Sequence, residues 1–315
     1  MGSRRTDGQS GATLLEVLIG VLLASAVALA VGGGLVFVTR TWYGNQARLE
    51  AQQNLRIAVE RVVRELRLAG ACLPRAGEIP ALLPVQGTDA GERDVLVFRT
   101  NQSCAASALR ATYGGGGGPI QLERVEGFAV GMQAYIWNPR TRSGEFFRVA
   151  AVDVVGQSVT PGADTPVPGR YPASESSVMG VEVQRYEVGE RRGVPELRLH
   201  LDPDLPGGVP EPLARGIERF NLRYVLQRPY AAVECVAGYT LGGGETLCVK
   251  DQPSELEWPL VRLVQLEVWA RSTRPVPGGG GDGFYRIQQG DFSRTPVVVR
   301  PRNLLHGDPR WEERP

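Results

Sequence analysis

The run from Ala12 to Val38 limits what this chain can fold into more than any other stretch. It is 27 residues long, and Glu16 is its only ionisable side chain. As a helix rising about 1.5 Å per residue it spans about 40 Å, enough to cross a bilayer. A carboxylate inside such a segment costs about 2.5–3.5 kcal/mol, so its presence points to a function. Arg4 and Arg5 lie in the short polar stretch before it and favour a cytoplasmic N-terminus.

Apolar residues then continue at helical spacing. Ala51, Leu55, Ala58, Val59, Val62, Leu66 and Ala69 recur in steps of three and four, a single stripe for packing. Arg56, Glu60, Arg61, Arg64, Glu65 and Arg67 fall largely on the opposite face, with Glu60–Arg64 and Arg61–Glu65 at supportive i,i+4 spacing. Gly70 suits a C-terminal cap, and Pro74 resists continuation. The pattern predicts one helix from Ala12 to about Ala69, its first half for lipid and its second for a soluble domain. Gly32-Gly33-Gly34 interrupts it, each glycine costing about 0.8–1.0 kcal/mol relative to alanine. Close helix packing through small residues is one use for such a triplet.

Beyond residue 70 the period changes to two. Val181 and Val183; Leu197, Leu199 and Leu201; Phe220, Leu222, Tyr224 and Leu226; and Val264, Leu266, Val268 and Ala270 alternate with polar neighbours, as strands with one buried face do. Val95–Arg99, Ala134–Trp137, Phe146–Val155 and Val297–Val299 are further strand candidates. Gly114–Gly118 and Gly278–Gly281 read as connectors, and 40 Gly with 23 Pro favour a loop-rich β domain. The expected fold class is α+β: a long N-terminal helix, transmembrane in its first half, packed on an antiparallel β-rich domain of residues 71–315, built as one elaborated unit or two sub-sheets.

Gly11-Ala12-Thr13-Leu14-Leu15-Glu16-Val17-Leu18-Ile19 resembles the N-terminal signal of type IV pilins and pseudopilins, with Ala12 where that family usually has Phe. The resemblance implies a cytoplasmic leader of residues 1–11, cleavage after Gly11 by a prepilin peptidase and N-methylation of Ala12. It also implies that Glu16 acts in filament assembly, paired with the new α-amino group of a neighbouring subunit, and it makes Gly32-Gly33-Gly34 a candidate hinge. Leu213-Ala214-Arg215-Gly216-Ile217-Glu218-Arg219-Phe220-Asn221-Leu222-Arg223-Tyr224 and Val261-Arg262-Leu263-Val264-Gln265-Leu266-Glu267-Val268-Trp269-Ala270-Arg271-Ser272 are similar to segments of PilW-type minor pilins. So are Asn54-Leu55-Arg56 with Arg64–Gly70, and Phe292–Arg300 with Arg302-Asn303, where Pro301 splits the usual Arg-Asn pair.

Such a protein sits in the inner membrane and then in the pilus. Its partners by resemblance are other minor pilins, the major pilin and a large tip adhesin, in a complex that primes assembly. A minor pseudopilin of type II secretion shares the N-terminal features. A secretory signal peptide, with Ala24-Ser25-Ala26 as cleavage site, conflicts with Glu16 and with apolar sequence continuing past Ala26. A plain single-span anchor gives no reason for Glu16.

Cys72, Cys104, Cys235 and Cys248 all follow the apolar run, in the portion that an anchored pilin exports to where disulfides persist. Of three pairings, Cys72–Cys104 and Cys235–Cys248 are favoured: the first ties the helix end to the first strand, the second closes a short loop. No C-x-x-C occurs and neither histidine is near a cysteine, so a metal site is not expected.

No P-loop, H-E-x-x-H or G-x-S-x-G motif occurs, and an enzyme is not expected; a membrane-anchored periplasmic enzyme or sensor is the alternative of another class. His200 and His306 read as surface residues, and Asp202, Asp204 and Asp282 as turn residues rather than Ca²⁺ ligands. Lys+Arg number 35 against 34 Asp+Glu, with Lys250 the sole lysine, and no basic run supports nucleic-acid binding. No cofactor is implied.

Overall fold

One long helix, α1 (Leu14–Leu66), opens the described part of the chain, and antiparallel strands are the regular structure of nearly all that follows. The computed structural model describes residues 14–73, 81–83, 94–203, 208–229, 235–242, 244–254, 257–276 and 281–301. Every residue of the expected apolar stripe from Ala51 to Ala69 is buried, together with Ala47. The helix closes at Leu66, three residues short of expectation, through tighter turns in which Leu68 and Ala69 donate to Glu65 and Leu66. Gly70 then adopts φ 76°, the left-handed conformation that suits glycine at a helix end, and donates its N–H to Arg99 O at 2.8 Å.

The helix pairs differ in detail from the periodic reading. Glu60 takes Arg56 at 2.6 Å, while Arg61 and Arg64 both approach Glu65, at 3.3 and 3.6 Å. Glu65 is buried rather than on the solvated face, because it also accepts from Gln102 Nε2 in the β domain at 3.2 Å.

The first sheet is assembled from β1 (Leu82–Leu83), β2 (Leu96–Thr100), β3 (Ala106–Ala108), β4 (Ile120–Gln121), β5 (Gln133–Asn138), β6 (Ser143–Asp153), β7 (Ser158–Pro161), β8 (Ser177–Arg191), β9 (Val194–Leu201) and β10 (Glu211–Arg215). Its spine is β8. The first half of β8 pairs with β3 and β5; the second half pairs with β2 and β9. Two cores result. Leu109, Ile120, Leu122, Phe147, Val149 and Val159 fill one, under β3 to β7. Phe98, Tyr186, Leu197 and Leu199 join the other, beneath α1.

The second sheet runs β12 (Ala237–Thr240), β13 (Thr246–Lys250), β11 (Ile217–Pro229), β14 (Val261–Arg271), β15 (Arg286–Gln289), with β16 (Val297–Val299) also on β14. Phe220, Leu222, Leu266 and Val268 pack with Leu55, Val59, Val62 and Leu66 of the helix. Residues Ile217–Tyr224 and Val261–Arg271 lie here as hydrogen-bonded neighbours, Phe220 opposite Val268 and Leu222 opposite Leu266, while Leu213–Arg215 belong to β10 of the first sheet. The chain is thus α+β, its elements joined by the burial of one helix face, the main favourable term in such packing.

Gly216 makes the crossing between sheets. Its φ is 77°, its N–H donates to Pro195 O of β9 at 2.6 Å, and its carbonyl accepts from Arg271 N of β14 at 2.7 Å. A Cβ there would collide with the Arg271 carbonyl oxygen.

Candidate functional site: the anchoring helix and the base of the β domain

From Leu14 to Arg40 every residue of α1 is exposed, with Leu14, Leu15, Leu18, Leu22, Val27, Leu29, Leu35 and Phe37 among the large apolar ones. A helix segment apolar all round and covered by none of the described residues has the character of one that lipid surrounds. The helix is long and apolar enough to cross a membrane, consistent with single-pass anchoring. Its few hydroxyls are satisfied internally: Ser25 Oγ donates to Val21 O, Thr39 Oγ1 to Leu35 O and Thr41 Oγ1 to Phe37 O, at 2.7, 2.7 and 2.9 Å. This is the arrangement hydrocarbon demands. Arg40 is the first charge after Glu16, followed by exposed Trp42 and Tyr43, side chains that favour a membrane–water boundary.

Glu16 lies in the first described turn of α1, on this exposed apolar surface. Gly11, Ala12 and the leader lie outside the described residues. Gly32, Gly33 and Gly34 are helical and exposed, and a Cβ at any of them would meet nothing within 4 Å. The triplet therefore does not interrupt the helix, and among the described residues it meets no packing partner.

All four cysteines are bridged, Cys72 to Cys104 and Cys235 to Cys248, with Cα separations of 5.2 and 5.4 Å. The first clamps the end of α1 to the segment after β2; the second holds β12 beside β13. Cys72 and Cys104 both have left-handed backbones, φ 54° and 50°.

Where α1 enters the β domain, the strand ends form a polar cleft of about 380 Å³ lined by Glu190, Gly193, Pro195, Glu218, Arg219, Arg271 and Arg286. Glu218 accepts from Arg286 at 2.7 and 3.0 Å and lies 3.3 Å from Arg271, whose guanidinium stacks 4.1 Å over the Phe284 ring. Asp282 also pairs with Arg286, whose side-chain hydrogen bond holds the Asp282 carboxyl well below its ordinary range. Sequence reading did not single out this cluster. Its members come from four distant segments, and only the β11–β14–β15 register and the β8–β9 turn bring them together.

Other expectations resolve residue by residue. His200 is half-buried rather than a free surface group, its Nε2 2.9 Å from Glu187 Oε1. Asp202 accepts from Val183 N at 2.9 Å in a left-handed turn, φ 45°. Asp204, His306, Arg302 and Asn303 lie outside the described residues. Among the described residues no three His, Cys, Asp or Glu side chains converge as a metal site would require. Comparison with known protein families, curated proteins and solved structures returns no match.

Proposed function

We propose that this chain is the precursor of a minor type IV pilin of the PilW type, cleaved after Gly11, N-methylated at Ala12 and drawn from the inner membrane into a pilus. The observation that carries this reading is Glu16, the sole charge in an exposed apolar helix segment, five residues after Gly11. A carboxylate there is costly in lipid and useful only where an opposite charge reaches it. In a filament the α-amino group of the next subunit supplies that charge.

The division of α1 supports the same reading. Its apolar half is left bare for neighbouring helices, and one face of its amphipathic half is buried against the two sheets, with a disulfide at each of two points of the β domain. Other minor pilins, the major pilin and a large tip adhesin are the partners in this proposal, and the β domain faces the periplasm or the cell exterior. A minor pseudopilin of type II secretion shares the N-terminal features; the segments 213–224 and 261–272 favour the pilus.

Intact mass and N-terminal sequencing of membrane-extracted protein, with and without the prepilin peptidase, test the proposal. A peptidase-dependent start at N-methylated Ala12 is expected. A start at Val27, or an uncut chain in both strains, overturns it.

A further inference from the structure

The cleft at the base of the β domain has a fixed position relative to α1. Thr273 Oγ1 donates to Glu50 Oε1 at 2.6 Å, and Arg48 lies 5.3 Å over the Tyr285 ring. Arg271 Nη2 donates to Gly193 O at 3.2 Å, joining the β8–β9 turn to the same end. These contacts place the turn, the start of β11 and the end of β14 on the side from which the apolar segment emerges. Glu50 is seven residues beyond Tyr43, about 10 Å along the helix. That is close to one Debye length at physiological salt, about 8 Å.

The charges at this end are unequal in their partners. Glu218 and Asp282 are taken up by Arg271 and Arg286, and Glu50 by Thr273. Arg191, Arg192, Arg219 and Arg274 are exposed and make no side-chain hydrogen bond or ion pair among the described residues, with Glu190 the exposed acid beside them. Arg192 sits at the tip of the longest hairpin with φ 54°, next to Gly193 at 76°. A two-residue turn of this kind needs positive φ at both positions and favours Asn-Gly or Asp-Gly. Arginine there accepts backbone strain and gives the tip a cation, an odd choice for a turn with only a structural task.

We infer that this arginine-rimmed base is a docking surface for anionic phospholipid headgroups of the leaflet into which α1 is inserted, with Arg191, Arg192, Arg219 and Arg274 as the phosphate contacts. Docking would hold the β domain against the bilayer before assembly. Extraction of the subunit would then break a multivalent, salt-sensitive contact as well as the lipid contacts of α1. The inference rests on membrane insertion of α1 and not on the filament reading.

The full chain reconstituted in nanodiscs tests it, with co-elution of chain and disc verifying insertion separately. Amide hydrogen exchange is followed at residues 190–194, 272–274 and 276 in phosphatidylcholine discs with and without phosphatidylglycerol. The anionic lipid is expected to slow exchange there by about fivefold or more, the effect of a single arginine contact at a charged surface. Protection should vanish near 1 M salt, where the Debye length falls to about 3 Å. It should also vanish in the Arg191→Ser/Arg192→Ser/Arg219→Ser variant and persist in the corresponding lysine variant, which controls for folding. Equal exchange in both discs overturns the proposal. So does equal protection by inorganic phosphate in phosphatidylcholine discs, which would assign a soluble anion, or protection that appears only on adding other pilus subunits, which would assign a protein interface.

Discussion

The carbonyl of Gly216 accepts the Arg271 amide at 2.7 Å while the Gly216 N–H donates to Pro195, so one residue is hydrogen-bonded into both sheets at once. The left-handed φ of 77° aims both groups, and the Arg271 carbonyl fills the space a side chain would need. Gly216→Ala is therefore expected to destabilise the chain by about 2 kcal/mol or more, combining a left-handed backbone cost of about 1–2 kcal/mol with a steric shift. Denaturant unfolding of the detergent-solubilised protein measures this; a change below 0.5 kcal/mol, roughly a surface substitution's effect, would remove the staple assignment.

The sole lysine is committed to a partner. Lys250 Nζ contacts Glu257 at 2.9 and 3.1 Å, both side chains are largely buried, and Glu257 also accepts from Ser254 N. Glu257→Ala should destabilise the chain by removing both contacts to the ammonium and the acceptor of the Ser254 amide, whereas Lys250→Met with Glu257→Leu should cost much less. Unfolding midpoints of the two variants give the comparison, and equal losses would contradict it.

The bridge Cys72–Cys104 spans 32 residues and Cys235–Cys248 spans 13, lengths for which cross-linking is worth about 3–4 and about 3 kcal/mol. Because Cys72 and Cys104 both have positive φ, the pair replaced by glycine should be more stable than the pair replaced by alanine, by about 1 kcal/mol in all. Loss of the cross-link is common to both variants, so their difference isolates the backbone. Alanine equal to or better than glycine would refute this.

Asp94 carries a pH dependence of unusual sign. Its carboxylate accepts from Leu222 N at 2.6 Å, yet burial raises its pKa above the ordinary 3.8. A raised folded-state value means the stabilising contribution is complete below 3.8 and is lost as pH rises through the folded value. Asp94→Asn should therefore gain on the wild type between acid and neutral pH, while Asp94→Ala, which strands the Leu222 amide, should be destabilised throughout. Chemical denaturation at pH 3.5 and 7, about half a unit below and well above the usual aspartate range, reads the difference. A gap moving the other way would show the charged form to be favoured.

If Glu16 serves assembly and not folding, Glu16→Leu should leave cleavage and membrane insertion intact and abolish incorporation into sheared filaments. Incorporation at wild-type level would take the role from Glu16.

Local pattern was enough to recover the helix and its buried stripe, because a 3.6-residue period needs only neighbouring residues to define a face. It also located the long strands at 217–229 and 261–271 through strict alternation. β1, β3 and β4 have two or three residues each, too few to display a period, and only their partners make them strands. Glu65 was placed on the solvated face because Gln102, 37 residues on, is invisible to periodicity.

By itself the sequence determined the apolar anchor, the lone carboxylate within it, the amphipathic second half of α1 and the set of cysteines available for bridging. Tertiary structure alone decided that β8 serves two cores, that Gly216 carries the chain between sheets and that Glu190, Gly193, Pro195, Glu218, Arg219, Arg271 and Arg286 line one cleft. The physical reason is that hydrophobic period is a property of neighbours along the chain, whereas strand register and charge pairing join residues separated by tens or hundreds of positions, and only the closed fold sets which of them meet.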